Sequence, residues 1–386
     1  MSSESRQRTA EETPAPLPVF DVRTHDAAIA AEIGAAIQRA VASGWFILGP
    51  EGERFETAFA TWLGGGHVVG AASGTAALSL ALRAAGVGPG DSVLTVPNTA
   101  IPTVSAISAV GAEPVFVDVD PETALLDLSR IDAAVRPNSR AIIPVHLYGR
   151  ALDLDALMPI ARHHGLVVIE DAAQAHGARW RGRPAGTWGN FGCFSFYPSK
   201  NLGAYGDAGA VWTADEEDAR LLRSLRNYGQ SERDRHERVG LNSRLDEIQA
   251  AILNAKLPHL VHWNQQRRRL AARYRELLAP LPLTLPPPAP TEEAHVYHLF
   301  TVRVAERGRV RDRLADRGIG SQAHYPTPIH LQEAYSHLGY HAGDFPAAEA
   351  WCRETLSLPF SPALGENDLR RVVQVLTETL GGRRDG

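Results

Sequence analysis

Lys200 stands just beyond a predicted strand, in the run SFYPSKNLG that spans residues 195–203. A lysine amine can form an imine with an aldehyde, which is a common route to covalent catalysis. The glycines at positions 203, 206 and 209 would let a flat ring approach the backbone closely. A lysine taken alone is usually a solvated surface residue. Its interpretation therefore depends on what the neighbouring strands carry.

Two polar side chains follow another predicted strand, in the run IEDAAQ over residues 169–174. Asp171 could pair with the protonated nitrogen of a pyridine ring and keep the ring cationic. Gln174, one helical turn later, could face the ring oxygen. The alternative interpretation is a helix-capping aspartate followed by a solvated glutamine.

A third group, Ser73-Gly74-Thr75-Ala76, lies between a predicted strand and a predicted helix. Backbone N–H groups and the helix dipole converge at such a turn, so it could bind a phosphate, with ordinary helix capping as the alternative. We call this group the anion seat. The anion seat, Asp171 and Lys200 each follow a different predicted strand. Together they are the parts that transamination with a phosphorylated aldehyde cofactor requires.

Five longer segments carry a resemblance to a known family: EDAAQAHGA, SFYPSKNLGAYGDAGA, LRNYG, LNSRLDEIQAAIL and HYPTPIH. From about residue 19 to residue 380 the chain resembles the DegT/DnrJ/EryC1/StrS family of sugar aminotransferases, which depend on pyridoxal 5′-phosphate (PLP). The resemblance implies PLP as cofactor, the aspartate-aminotransferase-like fold (fold type I) and a homodimer with shared active sites. It also implies amination of a keto group on a nucleotide-linked sugar.

The family's functional residues map onto individual positions of this chain. The resemblance implies that Lys200 holds the cofactor, that Asp171 pairs with its ring nitrogen and that Gln174 lies beside its ring oxygen. The implied phosphate-binding residues are Gly74, Thr75, Ala76, Ser195 and, from the second subunit, Asn242. The residues implied to border the substrate cleft are His146, Tyr148, His324, Tyr325 and His330. Without the family, the last three could be ordinary loop residues, and their spacing supports no metal site.

The loop PNTAIPT over residues 97–103 departs from the family pattern. Many relatives carry an aromatic residue that stacks on the cofactor at the position we align with Ala100. Alanine cannot stack, so we expect another apolar group to cover the ring or the alignment to shift by one residue.

The elements that must position these residues alternate between β-rich and helical stretches, which predicts an α/β fold with a large mixed, mostly parallel seven-stranded sheet and helices on both faces. Ligands of such sheets bind beyond the carboxyl ends of the strands. The predicted strands are 67–72, 92–97, 114–119, 141–146, 166–170, 192–197 and 209–213, with a further strand at 295–304. The predicted helices are 27–43, 52–63, 75–85, 101–110, 154–164, 243–260, 261–278, 309–317 and 347–355.

The chain is predicted to have three parts. Residues 1–16 read as a disordered leader, residues 17–260 as a large PLP-binding domain and residues 261–386 as a smaller C-terminal α+β domain, since single cores stop growing well below 386 residues.

Composition limits the function classes. The net charge of −5 argues against a nucleic-acid partner, and we interpret the basic cluster Arg267-Arg268-Arg269 as a solvated helix face. The sequence contains no apolar run of the roughly 20 residues that span a bilayer and no signal peptide, so we expect no membrane partner and a cytoplasmic protein. Two cysteines without a CxxC pair make a disulfide framework or a zinc site improbable.

We therefore expect a transaminase that uses an amino-acid donor, with L-glutamate as the donor in most relatives, and makes an aminosugar for natural-product or glycan biosynthesis. A dTDP-linked 3-keto-6-deoxyhexose is the expected substrate, and a C-4 keto sugar is the alternative. A sugar dehydratase or deaminase of the same family is a second alternative, although Lys200 excludes the branch with histidine at that position. A non-catalytic regulator with a DNA-binding module is disfavoured because no basic helix-turn-helix extension is present.

Overall fold

The computed structural model describes residues 15–22 and 26–381. In chain order the strands are β1 (His67–Ala71), β2 (Ser92–Thr95), β3 (Glu113–Phe116), β4 (Ser139–Ile142), β5 (Val167–Asp171), β6 (Arg179–Trp180), β7 (Arg183–Pro184), β8 (Phe191–Ser195), β9 (Gly209–Thr213), β10 (Gln230–Glu232), β11 (Arg235–His236), β12 (Thr301–Arg303) and β13 (Thr355–Ser357).

The α-helices are α1 (Ala30–Ser43), α2 (Pro50–Trp62), α3 (Gly74–Ala84), α4 (Ile101–Ala109), α5 (Ile131–Ala134), α6 (Leu154–His163), α7 (Glu216–Leu225), α8 (Glu247–Lys256), α9 (Leu260–Leu278), α10 (Arg307–Asp316), α11 (Pro346–Glu354) and α12 (Glu366–Gly381). Short 3-10 helices are Ala27–Ile29, Leu128–Arg130, Leu147–Gly149, Leu257–His259, Glu292–Ala294, Ile329–Leu331 and Glu333–Leu338. Within the described residues, no helix is both long enough and apolar enough to cross a membrane.

Seven strands form one sheet in the order β1-β9-β8-β5-β4-β2-β3. The pairs from β8 to β3 are all parallel, whereas β9 runs antiparallel to both β8 and β1. The strands other than β9 therefore end at the same edge of the sheet. That edge receives the residues that follow β1, β5 and β8, where the sequence places its anion seat, its acid and its lysine.

Helices cover both faces of this sheet. Val69 and Cys193 pack in a core with α3, α4 and α7, whereas their strand neighbours Val68 and Phe194 pack in a second core with α2 and α8. Successive strand residues point to opposite faces, so apolar residues at adjacent positions require two covered faces. This double burial explains why the strands are continuous apolar runs.

The C-terminal part has its own core, in which α9, α10 and α12 enclose the antiparallel pair β12–β13.

The predicted seven-stranded mostly parallel sheet with a smaller α+β part is confirmed. The domain boundaries at 16 and 260 stay predictions. Residues 1–14 of the expected leader lie outside the described residues, while the carbonyl of Ala15 accepts a hydrogen bond from Arg371 at 2.7 Å and Leu17 bridges to Ile319.

Two predicted elements have other bounds in the structure, and several elements were not predicted. The strand expected at 295–304 is confined to β12, because Tyr297 has a positive φ of 46° and the preceding residues bond to the loop at Gly149. The helix expected from Ser243 begins at Glu247, because the backbone N–H of Ser243 donates to Arg226 and Asp246 is extended. Helices α5, α7 and α12 and strands β6, β7, β10, β11 and β13 were not predicted.

Candidate active site

A cavity of about 210 Å³ lies at the carboxyl edge of the sheet. It brings together the predicted anion seat, Asp171, Gln174, Ser195 and Lys200. The remaining lining residues are Leu78, Thr99, Ala100, Pro102, Val145, Ala173, Tyr197 and Asp207. Five separate segments of the chain therefore meet around one space.

Lys200 is partly buried and sits in a turn after β8, where its backbone N–H donates to the carbonyl of Tyr197 at 2.8 Å. Burial lowers the pKa of its amine to about 8, and the charge of Asp171 acts in the opposite direction. Near neutral pH, a lysine with such a pKa has a far larger neutral fraction than an ordinary lysine with a pKa of about 10.4. Its amine can therefore act as a nucleophile and as a base.

Asp171 is the last residue of β5, and its side chain is buried in the cavity wall. One carboxylate oxygen accepts a hydrogen bond from Oγ1 of Thr103 at 2.8 Å, and the other accepts from the N–H of Ala173 at 3.1 Å. Burial raises the pKa of this carboxyl, whereas both hydrogen bonds and the charge of Lys200 oppose the rise. A cationic group bound beside it would hold the carboxylate in its charged form.

Gln174 is fixed at both ends of its amide. Its Oε1 accepts from the backbone N–H of Tyr148 at 2.7 Å, and its Nε2 donates to the hydroxyl of Tyr325 at 3.2 Å. Burial raises the pKa of Tyr325, so this phenol stays neutral. The amide is thus held in one orientation against the cavity.

The anion seat is the first turn of α3. Oγ of Ser73 caps the helix by accepting from the N–H of Ala76 at 3.2 Å, while the N–H groups of Gly74 and Thr75 have no acceptor within the described part of the chain. A Cβ on Gly74 would lie 2.6 Å from Cβ of Ser195, so only glycine allows this close approach. Free first-turn N–H groups beside a serine hydroxyl suit a phosphate.

The three predicted residues at positions 148, 324 and 325 form one group beside the cavity. The hydroxyl of Tyr148 donates to the carbonyl of His324, and Nδ1 of His324 lies 2.8 Å from Oγ of Ser357. Burial and, to a smaller extent, the charge of Lys200 lower the pKa of His324 to about 4, so the ring is neutral at pH 7. Together with the Gln174–Tyr325 bond, these contacts connect the C-terminal part to the cavity.

His146 and His330 do not line the cavity. His146 is fully buried, and its Nδ1 accepts from the N–H of Leu152 at 3.1 Å. Its Nε2 must then carry the proton and donate to Glu170, 2.9 Å away. His330 pairs instead with Glu349 at 3.2 Å, and burial lowers its pKa.

Asn242 also lies outside the cavity of its own chain. Its side chain is exposed, and its backbone forms an isolated bridge with Asn227. Ala100 does line the cavity, where the aromatic side chain among the lining residues is that of Tyr197, which is 54% exposed.

The sequence analysis did not single out the side chains of Thr103, Tyr197 and Asp207. Thr103 lies in the loop that was noted for Ala100, and Tyr197 and Asp207 lie in the segment that carries Lys200. Their position at strand ends was a usable signal. What could not be read from the sequence was which side chain turns towards the cavity.

Comparison with known proteins agrees with this geometry. Residues 27–377 match the model of the DegT/DnrJ/EryC1/StrS aminotransferase family. The chain is 47% identical to a dTDP-3-amino-3,4,6-trideoxy-α-D-glucose transaminase from Streptomyces venezuelae over 95% of this chain and 97% of the relative. It is 46% identical to a UDP-N-acetyl-3-dehydro-α-D-glucosamine 3-aminotransferase from Acidithiobacillus ferrooxidans, over 95% and 98%.

Solved structures show the same fold. DesV of S. venezuelae, crystallised in complex with a ketimine intermediate, superposes with a TM-score of 0.92 at 46% identity and covers 95% of this chain and 98% of its own. NtdA from Bacillus subtilis, with its cofactor PMP bound, gives a TM-score of 0.88 at 31% identity over 97% and 87% of the two chains.

Proposed function

We propose that this chain, which belongs to the DegT/DnrJ/EryC1/StrS aminotransferase family, uses PLP to transfer an amino group from an amino acid to C-3 of a nucleotide-linked keto sugar. The observation that carries the proposal is the single cavity in which Lys200, Asp171 and the anion seat converge. The family membership and the PMP-bound structure of a relative support PLP as the cofactor.

The residues present fit this cofactor. The free N–H groups of Gly74 and Thr75, with Ala76 in the same turn and Ser195 beside it, would hold the phosphate. Asp171 would face the ring nitrogen and Gln174 the ring oxygen. When bound, PLP supplies an electron sink for the negative charge that develops on the substrate carbon.

Lys200 would do the proton chemistry. A base works best when its pKa lies near the working pH, and burial brings the amine of Lys200 to about 8. With the amino-acid substrate bound, the amine of Lys200 would take a proton from the substrate carbon and return it elsewhere. Asp171 would stabilise the positive charge on the ring throughout.

The names of two relatives support C-3 as the aminated position. Both curated relatives described above carry C-3 amination in their names, one on a dTDP sugar and one on a UDP sugar. We propose a dTDP-linked 3-keto-6-deoxyhexose as substrate, L-glutamate as donor, a role in natural-product or glycan biosynthesis and a cytoplasmic location. Tyr148, His324 and Tyr325 are the residues that we propose to contact the substrate. His146 and His330 do not line the cavity, so we propose that they contribute to the substrate site indirectly.

We also propose a homodimer in which Asn242 completes the phosphate site of the partner. Asn242 is exposed and does not line the cavity of its own chain. The side chains of Trp45 (58%) and Phe46 (48%) are also exposed, and the carbonyl of Phe46 accepts a hydrogen bond at 3.0 Å from the backbone N–H of Glu247, five residues after Asn242. Large exposed aromatic side chains are enriched at interfaces.

The test is to incubate the purified protein with PLP, L-glutamate and a panel of dTDP- and UDP-linked 3-keto and 4-keto sugars. Product mass and NMR are recorded. A product with nitrogen at C-3 supports the proposal, whereas a product with nitrogen at C-4 would contradict the proposed position of amination and support the C-4 alternative. Loss of water or of ammonia without amino transfer would favour the dehydratase or deaminase alternative.

A further inference from the structure

Asn201 directly follows Lys200, but its side chain does not line the cavity and is only 1% exposed. A buried primary amide needs partners for its two N–H donors and its oxygen, because an unsatisfied buried polar group is costly. The chemistry proposed above gives this amide no role. Its contacts therefore indicate what the residue beside the lysine does.

All polar atoms of the Asn201 amide are paired. Nδ2 donates to Oδ1 of Asn264 at 2.9 Å and to the carbonyl of Val296 at 3.1 Å. Oδ1 lies 3.3 Å from Nδ1 of His298. Because Oδ1 can only accept, Nδ1 of His298 must carry the proton. A single buried amide thus joins the turn that carries Lys200 to α9 and to the segment before β12.

Asn264 extends this network to the segment that carries Gln174. Its Nδ2 donates to the carbonyl of His176 at 2.8 Å. A Cβ on Gly177 would lie 2.7 Å from this nitrogen, and Gly177 has a positive φ of 91°, so the glycine makes the close approach possible. Both His176 and Gly177 belong to the motif EDAAQAHGA, in which the proposed function uses other residues. The two buried amides therefore connect the segment after β5 with the turn after β8.

The turn that carries Lys200 is itself closed. The N–H of Ala204 donates to the carbonyl of Phe196 at 2.7 Å, and the N–H of Lys200 donates to the carbonyl of Tyr197 at 2.8 Å. The bonds within the turn fix its shape, while those of Asn201 fix its place against α9. The anchor at Asn201 therefore also fixes the backbone of Lys200.

The segment before β12 is held in turn by Arg267 of α9. Its Nη1 donates to the carbonyls of Tyr297 at 3.2 Å and His298 at 3.4 Å. The sequence predicted a solvated helix face for Arg267-Arg268-Arg269, and for Arg267 that prediction is wrong, since its side chain is buried. It is buried because α9 packs this side against the segment before β12. The His298 end of the network is thus held in place as well.

The network is neutral. Burial and, to a smaller extent, the charge of Lys200 lower the pKa of His298 well below its ordinary value, so the ring carries no charge at pH 7. The titratable groups around Lys200 belong to other parts of the site: Asp171, Tyr197 and Asp207 in the larger cavity, His176 and His324 within reach of its charge, and Asp21 and Arg267 in a second cavity of about 20 Å³ that Lys200 also lines. The network therefore acts on Lys200 through position and burial.

Position matters for a reacting base, since a displacement of about 1 Å can slow a reaction by about 100-fold. A lysine side chain is long and flexible, so the place of its backbone decides where the amine can reach. We propose that Asn201 is a positioning residue, whose amide anchors the Lys200 turn to Asn264 of α9 and to the segment before β12 and so keeps the amine in the cavity. This inference rests on the proposed function, since it names what places the lysine that the reaction uses.

The first test measures the pKa of Lys200 in the full chain without turnover. The chain contains only two lysines, so labelling with acetic anhydride over a range of pH, followed by mass spectrometry, reports Lys200 and Lys256 separately. Burial lowers the pKa of Lys200 to about 8 in the wild type. Asn201→Leu removes all three bonds of the amide, so water should reach the amine of the loosened turn. We expect the midpoint of Lys200 labelling to move to higher pH by about one pH unit, towards the ordinary pKa of about 10.4.

Asn254→Leu is the matched control. Nδ2 of Asn254 donates to the carbonyl and to the carboxylate of Glu51, both at 3.0 Å, so this amide also joins two elements, but it does not line the cavity. Its loss should lower the melting temperature and leave the pKa of Lys200 unchanged. Lys256, which is buried against Asp26, should stay protected from the label while the fold is intact. A Lys200 midpoint that is the same in wild type, Asn201→Leu and Asn254→Leu would overturn the proposal.

The second test measures the kinetics of the holoenzyme. For Asn201→Leu we expect kcat to fall by about 10- to 100-fold while the KM values for L-glutamate and the keto sugar stay within about twofold, because the base is displaced and the substrate contacts remain. Asn264→Leu leaves two of the three bonds of Asn201 and should have a smaller effect. The double variant should lose less than the product of the two single losses, since both act through one bond.

A wild-type kcat in Asn201→Leu, with only a lower melting temperature, would show a purely structural amide and overturn the proposal. If Asn201→Leu does not fold, Asn264→Leu decides by the same criteria. A wild type that transfers no amino group to any sugar would contradict the proposed function instead, and the labelling comparison would still decide the role of Asn201.

Discussion

Oγ1 of Thr103 donates a hydrogen bond to Oδ2 of Asp171 at 2.8 Å, and both side chains are buried. The bond joins the start of α4 to the end of β5. It favours the charged form of the carboxylate in a place where burial disfavours it. Thr103 therefore opposes the effect of burial on the pKa of the central acid of the proposed site.

Thr103→Val should weaken catalysis through this bond. Because the hydrogen bond lowers the pKa of Asp171, its loss should raise that pKa and move the acidic limb of the kcat/KM profile to higher pH. We expect a roughly tenfold loss near neutral pH, the size of one charged hydrogen bond. Thr95→Val, which removes a buried hydroxyl that donates to Ile143 instead, is the control. An unshifted profile would contradict the role of Thr103.

Asp171→Asn separates binding from chemistry. The amide keeps the shape of the side chain but cannot hold a proton on the ring nitrogen of the cofactor, so carbanion stabilisation should fail. We expect PLP still to bind and transamination to slow by orders of magnitude. Absorbance titration and single-turnover kinetics measure the two effects. Near-normal turnover would mean that the acid lies elsewhere.

Lys256 should be a structural residue. Its Nζ donates to Asp26 at 2.6 Å and to the carbonyl of Gly203 at 2.9 Å, and the side chain is buried. Removing one partner of a buried pair leaves the other uncompensated, so Lys256→Met should lower the free energy of unfolding by about 3–5 kcal/mol. The double variant with Asp26→Asn should lose less than the sum of the two single changes. Denaturant unfolding measures this, and strict additivity would contradict the coupling.

Much of this arrangement could be predicted from the sequence. The apolar strands and the glycine, acid and lysine that follow them are local signals, and they located Lys200, Asp171, Gln174 and the anion seat in one cavity. The boundaries of β12 and α8 could not be predicted, because contacts of Tyr297 and Ser243 with distant segments set them.

Side-chain direction was the other information that the sequence lacked. His146 follows β4 like a cleft residue, yet it turns inward to Glu170. Arg267 stands in a run of three arginines, and only the packing of α9 separates the buried one from its neighbours. Periodicity identifies a helix face, but it does not show which charged residue meets a cavity.

Mixed dimers test whether the site is shared. If Asn242 serves the partner's phosphate, Lys200→Ala and Asn242→Asp homodimers should each be nearly inactive, the latter because its added carboxylate repels the phosphate. In a heterodimer of the two variants, one site contains both altered residues and the other site contains neither. After joint refolding at equal concentrations, about half the dimers are mixed, so roughly a quarter of all sites should recover. Confirmed mixed dimers without recovery would place Asn242 in the same chain's site or outside it.

The central claim is that Lys200 holds the cofactor, and the chain permits a direct test because it contains only two lysines, Lys200 and Lys256. The purified protein is loaded with PLP until a visible absorbance band appears, reduced with borohydride, digested and analysed by mass spectrometry. Lys200 lines the cavity, whereas Lys256 is buried against Asp26. We predict that the band disappears and that the reduced cofactor is found on the peptide containing Lys200. Finding it on Lys256, or finding no band after PLP is added, would contradict the account.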